Sequence, residues 1–192
     1  MTLTVTVVGT GPIGATLARA FDNAGIDVRF ASRAPSQPTL HGMPVSRIED
    51  ALPGSDVVVT AIPGGAVGAF LTEHAAALAG VPVVDASNNV GGTAMHHAAE
   101  AGSLVYYRAF NTLGVENFAD PVFDGIAADM FYSGPQSHRE TVEALIGAVG
   151  LRPVWVGDGV PAADLLDGVT RLWFTLALQQ GRGRHLAFRM LP

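Results

Sequence analysis

Cysteine is absent from this chain of 192 residues, which excludes disulfides, thiolate nucleophiles and cysteine-ligated metal sites. Charge is scarce as well. Only 15% of the residues are charged and the formal net charge is −6, a balance that argues against duplex nucleic acid or an anionic membrane as the main partner. Long hydrophobic runs are missing: the longest apolar stretch near the C-terminus, Leu172 to Leu178, is far short of the roughly 20 residues a bilayer crossing needs. The N-terminus enters a strand-like segment without a basic region or a small-residue cleavage site, so no secretory signal is expected and the cytoplasm is the expected location.

What the chain has in plenty is apolar side chain and glycine. It is 48% hydrophobic and carries 23 glycines, the composition of a packed domain rather than a disordered segment. The segment Leu3-Thr4-Val5-Thr6-Val7-Val8 is β-branched and almost continuously apolar, as expected of a strand covered on both faces. A helix is expected from Pro12 to about Ala24, stopped by Gly25, then a strand over Asp27 to Ala31. The proline-rich stretch Pro35 to Pro44 reads as a loop and Ser46 to Leu52 as a short helix. Further strands are expected over Asp56 to Ile62, Val81 to Asp85, Leu104 to Phe110, Ala128 to Ser133 and Leu151 to Val156. Helices are expected over Ala66 to Ala79, Gly92 to Ala101 and Ser137 to Val149, and after Pro161 apolar residues again repeat at helical spacing.

Between the first strand and the first helix stands Gly9-Thr10-Gly11-Pro12-Ile13-Gly14. A GxGxxG pattern alone is weak evidence, but a buried strand before it and a helix after it make a dinucleotide diphosphate the expected ligand. The glycines allow a tight turn, close approach of backbone to diphosphate and close helix–strand packing, while the helix N-terminus supplies unpaired N–H groups and a favourable dipole. The expected fold is therefore α/β, a doubly wound, mostly parallel Rossmann sheet with a short C-terminal helical tail. It is read as a single domain, residues 1–158 forming the core and 159–192 the extension.

The choice of dinucleotide rests on the end of the second strand. NAD sites usually place an acid there, on the ribose 2′-hydroxyl. Here the strand ends in Ser32 and Arg33, and the nearby acid, Asp27, begins the strand at the opposite edge. A hydroxyl and a guanidinium suit a 2′-phosphate, so NADP(H) is expected, although a solvated Arg33 is the plainer alternative. Ala61, Ile62 and Pro63, at the end of the next strand, are expected beside the nicotinamide. Pro63 is also a simple strand stop.

Two more strand ends should face the same crevice. Ala86 and Asn88 in Asp85-Ala86-Ser87-Asn88-Asn89 are candidate cofactor contacts, and Asn111, Thr112 and Leu113 are candidate substrate contacts. The same residue types also make ordinary caps and turns. No catalytic constellation stands out and no metal site is expected. His96 and His97 are adjacent and should diverge on a helix, His41, His74 and His138 read as solvated, and Asp164 and Asp167 as first-turn charges. The arginines between Arg182 and Arg189 either meet an anionic ligand or end a solvated helix.

Carbonyl or imine reduction usually needs a proton donor beside the hydride, whereas exchange between two ring cofactors needs mainly face-to-face placement. The chain also continues only 36 residues past its last expected strand. Both features favour a flat ring partner.

From Val5 to about Val156 the chain resembles the NADPH:F420 oxidoreductase family, the F420-dependent NADP reductases. The markers are Gly9 to Gly14, Ser32-Arg33, Ile62-Pro63 and Phe110-Asn111-Thr112-Leu113. The resemblance implies that the first three bind NADP and that the deazaflavin coenzyme F420 lies against the nicotinamide. It also implies departures: the archaeal enzymes carry a histidine where Asn111 stands, a more apolar segment at Ser87-Asn88-Asn89, and a longer, helical region after the second strand. The same module resembles the reductase part of membrane ferric reductases, which pass hydride to a flavin. The expected activity is hydride transfer between NADPH and F420. A flavin, quinone or other organic acceptor is the alternative, and a non-catalytic NADP(H) sensor the alternative of a different class. Leu172-Trp173-Phe174 is either an exposed patch, a packed segment or part of a homodimer contact.

Overall fold

The protein is described from a computed structural model that covers residues 2–35, 39–40 and 42–191. Its centre is β1 (Thr4–Val8), which pairs in parallel with β2 (Asp27–Ser32) on one side and β5 (Val57–Thr60) on the other. Val5, Val7, Val8, Val57 and Val59 are fully buried, because helices cover both faces of a parallel sheet and leave no solvated side for polar alternation. Each such side chain contributes about 1.5–3 kcal/mol relative to exposure.

Between β1 and β2 runs α1 (Pro12–Asn23), with Pro12 at its first turn and Gly25 in the left-handed region at φ +79° just beyond it. Leu17, Ala18 and Phe21 form its buried stripe. These boundaries match the sequence expectation closely.

The next segment differs from it. Part of Pro35 to Pro44, expected as a loop, is a hairpin of β3 (Thr39–Leu40) and β4 (Met43–Arg47), and β4 extends the parallel sheet beside β2. Residues 36–38 and 41, including His41, lie outside the described residues. Prolines punctuate strands because they cannot donate to a ladder, but Pro44 pairs only with the two-residue edge strand β3, while Val45, Ser46 and Arg47 carry the pairing to β2. A short α2 (Ile48–Ala51) follows. After β5 come a 3-10 turn at Gly64–Ala66 and α3 (Val67–Glu73), shorter than the expected helix because residues 74–80 form successive turns.

The sheet continues through β6 (Val83–Asp85) and β7 (Tyr106–Arg108), giving the order β3-β4-β2-β1-β5-β6-β7, with every pairing parallel except β3 with β4. The expected helix over Gly92 to Ala101 is a series of turns. Beyond β7 lie α4 (Glu116–Ala119), a hairpin of β8 (Val122–Phe123) and β9 (Ile126–Ala127), β10 (Asp129–Tyr132), α5 (Arg139–Ala148) and β11 (Arg152–Trp155). Here too the expectation is corrected. The strands β10 and β11 form their own two-stranded parallel sheet, joined to the main one by a single antiparallel bridge between Arg108 and Ser133.

The last helix, α6 (Gly159–Phe174), begins two residues before Pro161 and is capped by Asp158, whose carboxylate accepts from the Gly159 amide at 2.6 Å. It passes into a π-helical turn at Thr175–Gln179. These make up the expected C-terminal helical extension; from residue 180 onward the chain is irregular. Gly181 and Gly183 adopt positive φ, and the chain returns along β10, where the Asp129 amide donates to the Phe188 carbonyl. Among the described residues no helix is long and apolar enough to cross a membrane.

Candidate functional site

Parallel pairing brings the ends of β1, β2 and β5 to one edge, and there a crevice of about 320 Å³ opens. Its wall includes Gly9, Thr10, Gly11, Ser32, Arg33, Ala61, Ile62 and Pro63, eight of the residues singled out from sequence. The volume lies at the lower end of the range for small-molecule and cofactor pockets. Asp27 stands at the far edge, paired in register with Thr4 and accepting from its hydroxyl at 3.3 Å.

The glycines of the turn serve different ends. Gly9 has φ +113°, and a Cβ there would run into the Ala61 carbonyl. A Cβ on Gly14 would strike the Gly9 carbonyl, so α1 rests directly on the turn. Gly11 needs neither explanation: its φ is −73° and a Cβ would meet nothing within 4 Å. As the N-cap of α1 it supplies no side chain to the first amides, and the first turn holds no acidic residue. The positive end of the helix is left unneutralised. Pro12, Ile13 and Gly14 form that first turn rather than the crevice wall.

The wall extends to residues that were not anticipated: Ile48, Phe70, Glu73 and His74. His74, expected to be solvated, is half-buried and packs on Phe70 with ring centroids 5.0 Å apart. Ile48 escaped notice because the strand that delivers it lies in the proline-rich stretch. Behind the wall, His97 Nε2 stands 2.8 Å from the Gly64 carbonyl and its Nδ1 2.5 Å from Glu100. A Cβ on Gly64 would hit the backbone of Asn88 and Asn89 at 2.5–2.6 Å. The Pro63-Gly64 turn is thus wedged between β6 and His97.

At the ends of β6 and β7 the same sheet edge is closed. Arg108 is fully buried and donates to the Ser87 carbonyl at 2.9 Å, to Asn88 Oδ1 at 2.9 Å and to Asp167 Oδ1 at 3.0 Å. Asp85, also fully buried, accepts from Thr60, from the Ser87 amide and from the Tyr106 hydroxyl. Burial first, and the Asp85 charge second, push the Tyr106 hydroxyl well above its usual pKa. Asp167 lies deep in α6 rather than in its first turn, and its second oxygen accepts from the Met95 amide. Asp164, exposed, meets buried His96 at 3.0 Å. His96, Asp164 and Asp167 offer ligand atoms within 4.8 Å of one another, but both oxygens of Asp167 are already engaged.

Four expectations change here. Asn111, Thr112 and Leu113 are all buried and face the interior rather than the crevice. The cause is Phe110, whose φ of +61° turns the chain off the sheet and seats its ring against Phe21 and Phe118. Asn111 meets Thr170 of α6 at 3.1 Å, and Asn88 donates to the Asn111 carbonyl at 2.9 Å. Ala86 is buried in the core. His96 and His97 sit in turns, not on diverging helix faces. The C-terminal arginines hold the tail: Arg184 pairs with Glu116 at 2.6 Å and Arg189 with Asp129 at 3.4 Å. In Leu172-Trp173-Phe174 only Leu172 is well exposed, while Trp173 is buried and donates to the Leu186 carbonyl.

Strand order, glycine turn and crevice together define an α/β protein of the Rossmann class. Residues 4–89 match the family described as NADP oxidoreductase, coenzyme F420-dependent. The match runs from β1 past β6 and so contains every strand end around the crevice. It bears out the family resemblance of the sequence and supports an NAD(P)-dependent oxidoreductase.

Among solved structures, the chain is similar to a protein described as an F420-dependent NADP reductase from Arthrobacter sp. FB24. The two share 20% identity and a TM-score of 0.81 over 99% of this chain and 100% of that one. A hypothetical protein from Sinorhizobium meliloti is 25% identical with a TM-score of 0.70, over 100% of this chain and 96% of that one. A reductive aminase from Aspergillus terreus, in complex with NADPH and ethyl-5-oxohexanoate, is 21% identical with a TM-score of 0.70. There the comparison covers 94% of this chain but 64% of the aminase. Such likenesses establish the fold. No curated protein matches the sequence at a significant level.

Proposed function

We propose that the chain binds NADP(H) in this crevice and moves a hydride between it and the deazaflavin coenzyme F420. The observation that carries the cofactor part is Gly11, a glycine that neither its backbone angle nor its packing requires. A ligand held against the backbone does require it. The residues present fit a dinucleotide: the uncapped α1 terminus for the diphosphate, Ser32 and Arg33 for the 2′-phosphate, Ile62 and Pro63 as an apolar wall for the nicotinamide.

NADPH bound there supplies the hydride. The protein's part is to bind and orient: the amides of α1 hold the diphosphate, Arg33 fixes the adenosine end, and the Pro63-Gly64 turn, braced by His97, sets the ring plane. F420 is favoured as acceptor by the family resemblance. Ring-to-ring hydride transfer needs placement more than a protein acid, and Ile62 and Pro63 offer an apolar surface for such placement.

The test is to mix the protein with NADPH and F420 and follow the deazaflavin absorbance, with FMN and FAD in parallel. Turnover with F420 is expected. Turnover with a flavin alone moves the acceptor to that class, and tight NADPH binding without turnover on any of the three contradicts the enzymatic reading.

A further inference from the structure

We infer that Arg47 is a second guanidinium for the 2′-phosphate, so that selectivity for NADP(H) over NAD(H) is shared by Arg33 and Arg47. The inference rests on the crevice being an NADP(H) site.

It follows from β4, the strand that prolines hid in the sequence. In the parallel pairing of β2 with β4, Ser32 stands opposite Arg47. Neighbouring strands lie about 4.8 Å apart, and residues in register project to the same face. The preceding in-register pair confirms the face: Phe30 and Val45 both pack in the core cluster on the α1 side. Ser32 and Arg47, two residues further on, therefore project to that side as well. It is the side from which Thr10 and Gly11 lead into α1, and both of them, with Ser32, line the crevice. The next residue, Ile48, lines the crevice from the opposite face, packed with Val8 and Phe70, so Arg47 stands at the rim of the site beside Ser32.

Arg47 is available for such a contact. Its side chain is 64% exposed, and its ion pair with Glu49 is a loose one through Nε at 3.7 Å. A tight charge-assisted bond measures about 2.7–2.9 Å. Glu49 and Asp50 in α2 are the acids close to it along the chain; a phosphate dianion between two guanidinium groups outcompetes one solvated carboxylate. In a protein of net charge −6, an anionic ligand needs local cations of this kind.

The experiment is calorimetric titration of NADPH, NADH, adenosine 2′,5′-bisphosphate and 5′-AMP into the parent protein and its Arg33→Ala and Arg47→Ala variants. Arg47→Ala is expected to weaken both 2′-phosphorylated ligands about tenfold, the size of one charge-assisted hydrogen bond, while NADH and 5′-AMP shift less than twofold. The two ligands without a 2′-phosphate also report that the variant is folded. If Arg33→Ala loses the discrimination and Arg47→Ala keeps it, Arg33 acts alone and the inference fails while the NADP(H) reading stands. Equal weakening of all four ligands by Arg47→Ala also overturns it. A parent protein without preference for the 2′-phosphate overturns the reading and the inference together.

Discussion

One sheet edge carries two surfaces of opposite character. At the tips of β1, β2 and β5, polar groups face an open crevice: Thr10, Ser32 and Arg33 line it, and the first amides of α1 have no side-chain cap. At the tips of β6 and β7 the polar groups are more numerous but pair with one another, with Asp85, Arg108 and Asp167 each 2% exposed or less. Both places show hydroxyls, amides and charges just past a strand, which from sequence alone look equally fit to hold a ligand. The difference lies in what covers them. The α6 helix lays Asp167 and Thr170 over the β7 side, whereas among the described residues no helix covers the β2 side in this way. A polar strand tip binds a ligand only where the fold leaves it unsatisfied.

The comparison is broken most severely at Arg108. Its replacement by methionine leaves Asp85 and Asp167 buried without their cation, a change expected to cost about 3–5 kcal/mol. Urea unfolding monitored by circular dichroism measures it, and a loss under about 1 kcal/mol means the closed side is not a satisfied network. On the open side the glycines give a graded result. Gly14→Ala forces a Cβ into the Gly9 carbonyl and should cost about 1–3 kcal/mol of stability by overpacking. Gly11→Ala should leave the unfolding midpoint unchanged and still weaken NADPH binding. A stability loss at Gly11 comparable to that at Gly14 would make it a packing glycine and remove the main support for the ligand.

Arg33→Ala sharpens the comparison next: NADPH binding should fall by about tenfold or more, as for a lost charge-assisted contact, with NADH binding and the unfolding midpoint unchanged. The smallest effect lies far from both surfaces. Hydrogen bonds from Tyr132 and then Arg139 hold the Glu143 carboxyl below its usual value of 4.5. A carboxylate lowered in the folded state stabilises fully above its unfolded value and loses that contribution as pH falls through the folded one. Stability between pH 6 and 3 should therefore fall less steeply in Glu143→Gln than in the parent, and identical slopes would show that the pair contributes nothing.

Much of the open side was readable in the sequence because its signals are local. Gly9 to Gly14 between an apolar strand and a helix, and Ser32-Arg33 at a strand end, are contiguous patterns whose geometry follows from backbone rules. The rest depends on long-range events. Strand β4 was masked by Pro44, whose missing N–H is harmless beside a two-residue edge strand. Asn111, Thr112 and Leu113 were misplaced because a left-handed Phe110 takes the chain inward, and nothing in its residue type announces a positive φ. Asp167 looked like a helix-start charge because its partner is 59 residues away. The strands β10 and β11 have the composition of sheet members, and only the topology shows them paired apart.

The central claim is that the open crevice is an NADP(H) site chosen by its 2′-phosphate. Titrating NADPH and NADH into the parent protein under identical salt tests it directly. The account predicts NADPH binding at least about tenfold tighter, the worth of one charge-assisted contact. Equal affinities, or tighter NADH binding, contradict it.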